Sequence, residues 1–236
     1  MLFLSQPTFL PWIGYYDLID QSNIFVILDD VKFEKQSWHH RNNFKSKKGL
    51  EFFTVTTFTD EYKFIKDISI FNPERLQKKF RNFVITNYSK AKFFKKYFSV
   101  FIETFNNGSN SKKLLSLNFA LLKLTLSLLQ IEKKILFSSS LKVDKKKSEK
   151  IIEICKKCNE NKYLSTLGAK EYLLNDRVKF ISNKIEVLLQ NYSHPEYSQL
   201  YGRFKPYACI LDLIMNEGEN SKDIIISGRK KNQKIF

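Results

Sequence analysis

The sequence predicts an α/β fold: a mainly parallel sheet with flanking helices and a helical insertion in the middle of the chain. Two observations carry that expectation. Short apolar or β-branched runs at residues 2–5, 24–28, 134–138, 162–165 and 185–190 alternate with segments of helical period. Between residues 73 and 130, strand signals give way to consecutive helical patterns. Residues 1–225 are therefore read as one α/β domain with segment 73–130 packed on it, and residues 226–236 as a basic, mobile tail.

The opening reads strand, loop, short helix, strand. Residues 2–5 (LFLS) stop at Gln6-Pro7, and Pro7 and Pro11 impose extended or turn geometry around Thr8-Phe9-Leu10. Trp12, Tyr15, Tyr16 and Ile19 then recur at helical spacing, and residues 24–28 (IFVIL) close a β-α-β unit. Residues 51–58 (EFFTVTTF) form a further strand signal after the Lys47-Lys48-Gly49 turn.

Asn72-Pro73-Glu74 marks a helix start, since proline is tolerated in a first helical turn. Helices are expected through Asn87 and over 91–105, followed by an Asn106–Asn110 loop. Residues 114–129 are apolar almost all round and read as a central buried helix. The run Lys145-Lys146-Lys147 reads as a solvated helix start leading into 151–158. Shorter helices are expected at 170–174 and 207–215, with Gly218 breaking the last.

With 236 residues, 43% of them hydrophobic, the chain can bury a core of its own. Three cysteines, all late in the chain, do not make a disulfide framework. Cys155 and Cys158 form a C-x-x-C within a helical pattern, but no second pair completes a tetrahedral zinc site, so no metal is expected. Cys209, inside an apolar run, reads as a small core residue. The first twenty residues lack a basic leader and a small-residue cleavage site, and no run reaches the roughly 20 apolar residues of a membrane span. The expected setting is cytoplasmic.

A net charge of +16 favours anionic partners. However, only six of the forty basic residues are Arg, the residue suited to bidentate phosphate or base contacts. The lysines are also scattered among Asn, Ile and Phe, as an AT-rich genome would impose. A small anionic substrate is expected rather than nucleic acid. The competing class is a basic binding module for RNA or an anionic membrane surface.

Four segments crowd polar groups against aromatics and turns. In the first, Gln6 precedes a two-proline loop, and Trp12, Gly14 and Tyr15 start a helix at a strand's carboxyl end, where ligands bind in open α/β sheets. A stiff structural turn is the plain alternative. In the second, Asp29-Asp30 ends the next strand and offers acid–base or Mg²⁺ chemistry, or else a turn or helix cap. The third, residues 33–42, combines Lys35 and Arg41 for an anion with Trp38 for stacking, and adds His39, His40 and Asn42. The fourth places His194, Tyr197 and Gln199 after the strand at 185–190. His194 is either an acid–base group or a buried histidine satisfied by a backbone carbonyl.

These segments, in this order, resemble the WbqC-like protein family. The opening pattern is matched by Gln6, Pro7, Phe9–Trp12, Gly14, Tyr15, Leu18 and Ile19, the aspartate pair by Asp29 and Asp30. The following block is matched by Phe33, Lys35, Trp38, Arg41 and Asn42. Later blocks are matched by Tyr163-Leu164-Ser165 with Gly168-Ala169, by His194-Pro195 with Tyr197 and Gln199, and by Asp212-Leu213 with Asn216 and Gly218. The histidine pair departs from the family's pattern and is assigned no catalysis, and Thr166 and Leu167 stand where small residues or Pro are common.

The resemblance implies an enzyme of surface-polysaccharide (O-antigen type) biosynthesis. It would act on a nucleotide-activated amino sugar by acyl or aminoacyl transfer, with ATP and Mg²⁺ or an acyl donor as co-substrates. In it Asp29, Asp30 and His194 would be catalytic. Gln6, Trp12, Gly14, Tyr15, Lys35, Trp38, Arg41, Asn42, Ser165, Tyr197 and Gln199 would bind substrate. The strand–loop–helix order is also similar to nucleotidyltransferase and pantothenate-synthetase folds. Trp12-Ile13-Gly14-Tyr15 lacks their His-x-Gly-His signature.

Overall fold

In the first β-α-β unit, β1 (Leu2–Ser5) and β2 (Ile24–Ile27) pair in parallel through the crossover helix α1 (Ile13–Gln21). The computed structural model describes residues 1–58 and 63–236. Leu2 and Leu4 point to one face of the sheet and Phe3 to the other; Ile24 and Val26 are set against Phe25 and Ile27 in the same way. Both strands are buried on two sides, which is why they read as continuous apolar runs.

Five parallel strands and one antiparallel edge make the main sheet, in the order β5-β2-β1-β6-β7-β8. Strand β5 (Lys134–Phe137) lies outside β2, while β6 (Lys162–Ser165) and β7 (Glu186–Leu189) extend the sheet beyond β1. The chain thus winds away from β1 in both directions, and strand order reverses between β1 and β6. A crevice opens at the carboxyl ends of strands at such a reversal. The parallel α/β architecture expected from the sequence is present.

One face is covered by α5 (Lys147–Lys157), α6 (Lys170–Asn175) and α7 (Arg177–Ser182), through Ile151, Ile154, Leu173 and Phe180. The other carries α1, α8 (Ile210–Glu217), α9 (Ser221–Ser227) and the insertion formed by α2 (Pro73–Tyr88), α3 (Phe94–Asn110) and α4 (Leu114–Leu128). Asn72 caps α2 through its side chain, accepting from the Arg75 N–H at 3.0 Å. Among the described residues no helix is long and apolar enough to cross a membrane.

Several local expectations change. The strand expected at 51–58 is β4 (Gly49–Thr54), and it pairs antiparallel with β3 (Arg41–Ser46) as a separate hairpin instead of joining the main sheet. Arg41 and Asn42 therefore open a strand. Residues 106–110, expected as a loop, complete α3: a Cβ on Gly108 would lie 3.0 Å from the Leu117 Cα, so glycine lets α3 and α4 approach closely. The helix expected from 207 starts at Ile210. The carboxyl-terminal segment, expected to be mobile, packs: β8 (Gln233–Lys234) pairs with β7, and Arg229 bonds Asp17 at 2.6 Å.

The hairpin and insertion grip the proline loop. Phe9 sits among Phe44, Phe53, Phe80 and Phe105, with centroids 6.0–6.4 Å away, while Phe80 and Phe105 stack at 3.9 Å. This aromatic knot fixes the loop between β1 and α1, and with it the mouth of the crevice.

Candidate functional site

The crevice at the carboxyl ends of β1 and β6 holds two adjoining compartments that share Ser5, Thr8 and Trp38. The first, about 380 Å³, is aromatic: Trp12, Tyr15, Trp38 and Tyr207 line it, with Pro11 and Asn42. The second, about 530 Å³, is more polar, lined by Gln6, Glu34 and His39 on one side and Ser165, Thr166 and Gly168 on the other.

Trp12 owes its place to two neighbours. Its indole lies so close over Gly14 that a Cβ there would fall 2.1 Å from the ring, and it stacks on His194 at 5.8 Å with planes 17° apart. No side chain longer than glycine fits at position 14 with the indole in place. Leu10 holds a left-handed backbone (φ 42°), and Asn42 secures it, its amide donating to the Phe9 and Leu10 carbonyls at 2.9 Å. Asn42 is thus a brace for the loop as well as a lining residue.

Gln6 and His39 meet in the polar compartment, the His39 Nε2 lying 2.8 Å from the Gln6 Oε1. With the amide oxygen as acceptor, Nε2 carries the proton and Nδ1 keeps its lone pair. That Nδ1 is buried and has no hydrogen-bond partner among the described residues. Burial, with His40 alongside, pushes the His39 pKa down to about 4, so the ring is neutral at physiological pH. Sequence reasoning set His39 aside; its signal was only its place beside Trp38, since its partner lies 33 residues earlier.

The other predicted groups are distributed differently. Both Asp29 oxygens are occupied: Oδ1 accepts from Ser138 Oγ and the Ser139 N–H, and Oδ2 from Ser139 Oγ, at 2.6–3.1 Å. Asp30 bonds Ser138 and pairs with Lys150 Nζ at 2.7 Å; burial opposes its ionisation, but Lys150 and Ser138 leave its pKa below the ordinary value. Neither aspartate lines the two compartments. His194 has both ring nitrogens engaged, Nδ1 with the Pro195 carbonyl at 2.9 Å and Nε2 with the Tyr207 N–H at 3.2 Å. Burial holds its pKa below the ordinary value.

Tyr197 and Gln199 turn away to a core carboxylate, each donating to Asp212 Oδ2 at 2.8 Å. Ser165 lines the polar compartment and accepts from Tyr163 Oη at 3.2 Å. Arg41 lies over the Phe52 ring at 4.5 Å, and Phe52 in turn contacts Trp38 at 5.9 Å, which sets the guanidinium near the aromatic rim. Lys35 is exposed on the same segment. Tyr207, missed in the sequence, faces Trp12 edge-on at 5.3 Å from a left-handed backbone (φ 68°).

Comparison with known proteins agrees with this arrangement of motifs. Uncharacterized protein Rv1507c of Mycobacterium tuberculosis is 29% identical over 225 residues, covering 94% of this chain and 96% of the relative. No solved structure matches the chain significantly. The WbqC-like protein family model matches residues 6–224, which takes in the crevice residues from Gln6 to Tyr207, and the chain belongs to that family.

Proposed function

We propose that the chain is an enzyme that modifies an activated amino sugar for surface polysaccharide, joining an acyl or aminoacyl group to the sugar amine. The observation that carries this reading is the two-compartment crevice at the strand reversal, with the Gln6–His39 pair among its walls. Aromatic faces beside a polar wall suit a ligand with one flat part and one hydroxylated part.

In the proposed step the sugar amine attacks the carbonyl carbon of an activated acyl donor. A C–N bond forms, the bond from the carbonyl to the leaving group breaks, and that group departs with the electron pair. The amine proton is released to water at the open side of the compartment, while His39 Nε2–H donates to Gln6 Oε1 and the pair holds the wall that faces the sugar amine. Arg41 and Lys35 supply positive charge for the donor's phosphates at the rim. Trp12, Tyr15, Trp38 and Ser165 line the substrate's place, with Gly14 giving Trp12 its room. His194 acts as a positioning residue for Trp12 and Tyr207, and Asp29 and Asp30 anchor the end of β2 to the 138–139 turn.

The test is incubation of the purified protein with nucleotide-linked amino sugars and acyl-coenzyme A or ATP with an acid, followed by mass spectrometry. Formation of an amide that Gln6→Ala and His39→Gln each suppress supports the reading. Absence of any product across the panel, with thermal stabilisation by RNA alone, replaces it with the basic binding module.

A further inference from the structure

Both tryptophans of the chain line the same compartment, from positions 26 residues apart in sequence, together with Tyr15 and Tyr207. Trp38 is 52% exposed and Tyr207 55%, large apolar areas to leave open to solvent. Tyr207 is also held at φ 68°, a conformation unfavourable for a bulky residue, by the bond from its N–H to His194. Strain kept in place to present an open aromatic ring points to a ligand face.

The polar atoms of this compartment narrow the ligand. Ser5 Oγ, Thr8 Oγ1 and Tyr15 Oη all point to the Gln6 carbonyl oxygen at 3.3 Å, and the Asn42 amide is committed to Phe9, Leu10 and Asn43. None of the described lining residues is charged. A pyranose placed here would turn hydroxyls on every edge towards donors already engaged. A flat, uncharged heterocycle stacks its faces on the rings and can turn the polar groups at its edge to the open side.

We infer that the compartment lined by Trp12, Trp38 and Tyr207 is a nucleobase subsite, and that the Gln6–His39 compartment takes the sugar of the same ligand. This assignment rests on the activated-sugar reading, but it commits the two compartments to separate parts of the molecule. The shared residues Ser5, Thr8 and Trp38 mark the junction, and Arg41 stands over Phe52 beside it.

Tryptophan emission reads the subsite directly, since both reporters lie in it. The full chain, excited at about 295 nm, is titrated with uridine, thymidine and adenosine, and separately with N-acetylglucosamine. A saturable change with at least one nucleoside is expected, at an affinity about tenfold or more above that of the monosaccharide. Trp38→Ala, which retains the Trp12 reporter and alters a half-exposed side chain, is expected to weaken nucleoside binding about tenfold, and Trp38→Phe less. Equal or tighter monosaccharide binding, no saturable nucleoside response, or full affinity in Trp38→Ala would each overturn the assignment. Nucleoside binding without any amide product would retain the subsite and reject the transfer reading; product formation with no nucleoside binding would do the reverse.

Discussion

Around His39, at the crevice, and around Asp212, in the core behind it, two buried ionisable groups meet opposite fates. The His39 ring has one nitrogen on Gln6 and one without a partner among the described residues, and desolvation keeps it neutral. Asp212 is 0% exposed and gathers Tyr197 and Gln199 on one oxygen, while its other oxygen has no partner among the described residues. Desolvation there outweighs those bonds and the nearby Lys45, pushing its pKa up to about 6. Lys45, equally buried, has its own pKa lowered and donates to the Arg203 carbonyl at 2.5 Å. His39 lines a cavity that a ligand can enter, whereas Asp212 ties the 191–209 segment to α8. Burial perturbs both groups; only access to the crevice distinguishes a chemical role from a structural one.

The largest effect that could break this contrast is catalytic. His39→Gln keeps a donor for Gln6 but removes the ring from the wall that the sugar faces, so amide formation should fall about tenfold to 10²-fold. Asp212→Asn, which keeps an acceptor for Tyr197 and Gln199, should change it less than about tenfold. Rates from product mass spectrometry on folded variants decide the matter. A loss in Asp212→Asn as deep as in His39→Gln would place the chemistry in the core instead.

Stability against pH gives the next effect, and the two groups act with opposite sign. His39 has a folded pKa of about 4, below its unfolded value, so the unfolded chain binds more protons between those values. Its contribution is present above pH 6.5 and lost as pH falls towards 4. Asp212, raised to about 6, binds more protons when folded, so its contribution is present below about pH 4 and lost as pH rises to 6. Each is worth roughly 3 kcal/mol. Urea unfolding from pH 4 to 7 should show stability rising more steeply with pH in Asp212→Asn than in the parent, and less steeply in His39→Gln. Parallel curves for all three would mean that neither group is perturbed as described.

The first β-α-β unit was legible because Leu2–Leu4 and Ile24–Ile27 are buried on both faces, leaving apolar runs that local composition reveals. Strand β3 was not. Its buried positions include Asn42, Lys45 and Ser46; Asn42 and Lys45 donate to distant loop carbonyls and Ser46 accepts from the Lys48 N–H, so no hydrophobic alternation marks them. The same limit applies to the site. Asp29 and Asp30 stand out as a polar pair, but the serines that occupy them come from 108–110 residues later. Tyr197 and Gln199 match a family motif, yet their shared target is the aspartate of another motif. A motif reports that residues matter without reporting whether they face a ligand or each other.

Gly14 tests the packing side of the contrast. In Gly14→Ala the new methyl would meet the Trp12 ring, and forcing the indole aside should cost about 1–3 kcal/mol. That loss competes with a gain of up to about 1 kcal/mol in helix propensity. A lower melting temperature, with a changed Trp emission maximum, is expected. An unchanged spectrum with higher stability would show that Trp12 is not wedged over the helix start.

Gly168 is the counterpart in the polar compartment, and the effect expected there is the smallest. A Cβ at Gly168 would meet only Thr166 Oγ1, at 3.9 Å, so alanine fits without any backbone adjustment. Stability should change by no more than about 0.5 kcal/mol. The methyl would nevertheless stand at the wall where the proposed sugar lies, so Gly168→Ala should raise the KM for the sugar nucleotide several-fold and leave nucleoside affinity untouched. Such a split means that glycine serves ligand approach at 168 and packing at 14. If both affinities stay at the parent values, the sugar does not contact this wall, and the polar compartment must be assigned from its His39 side alone.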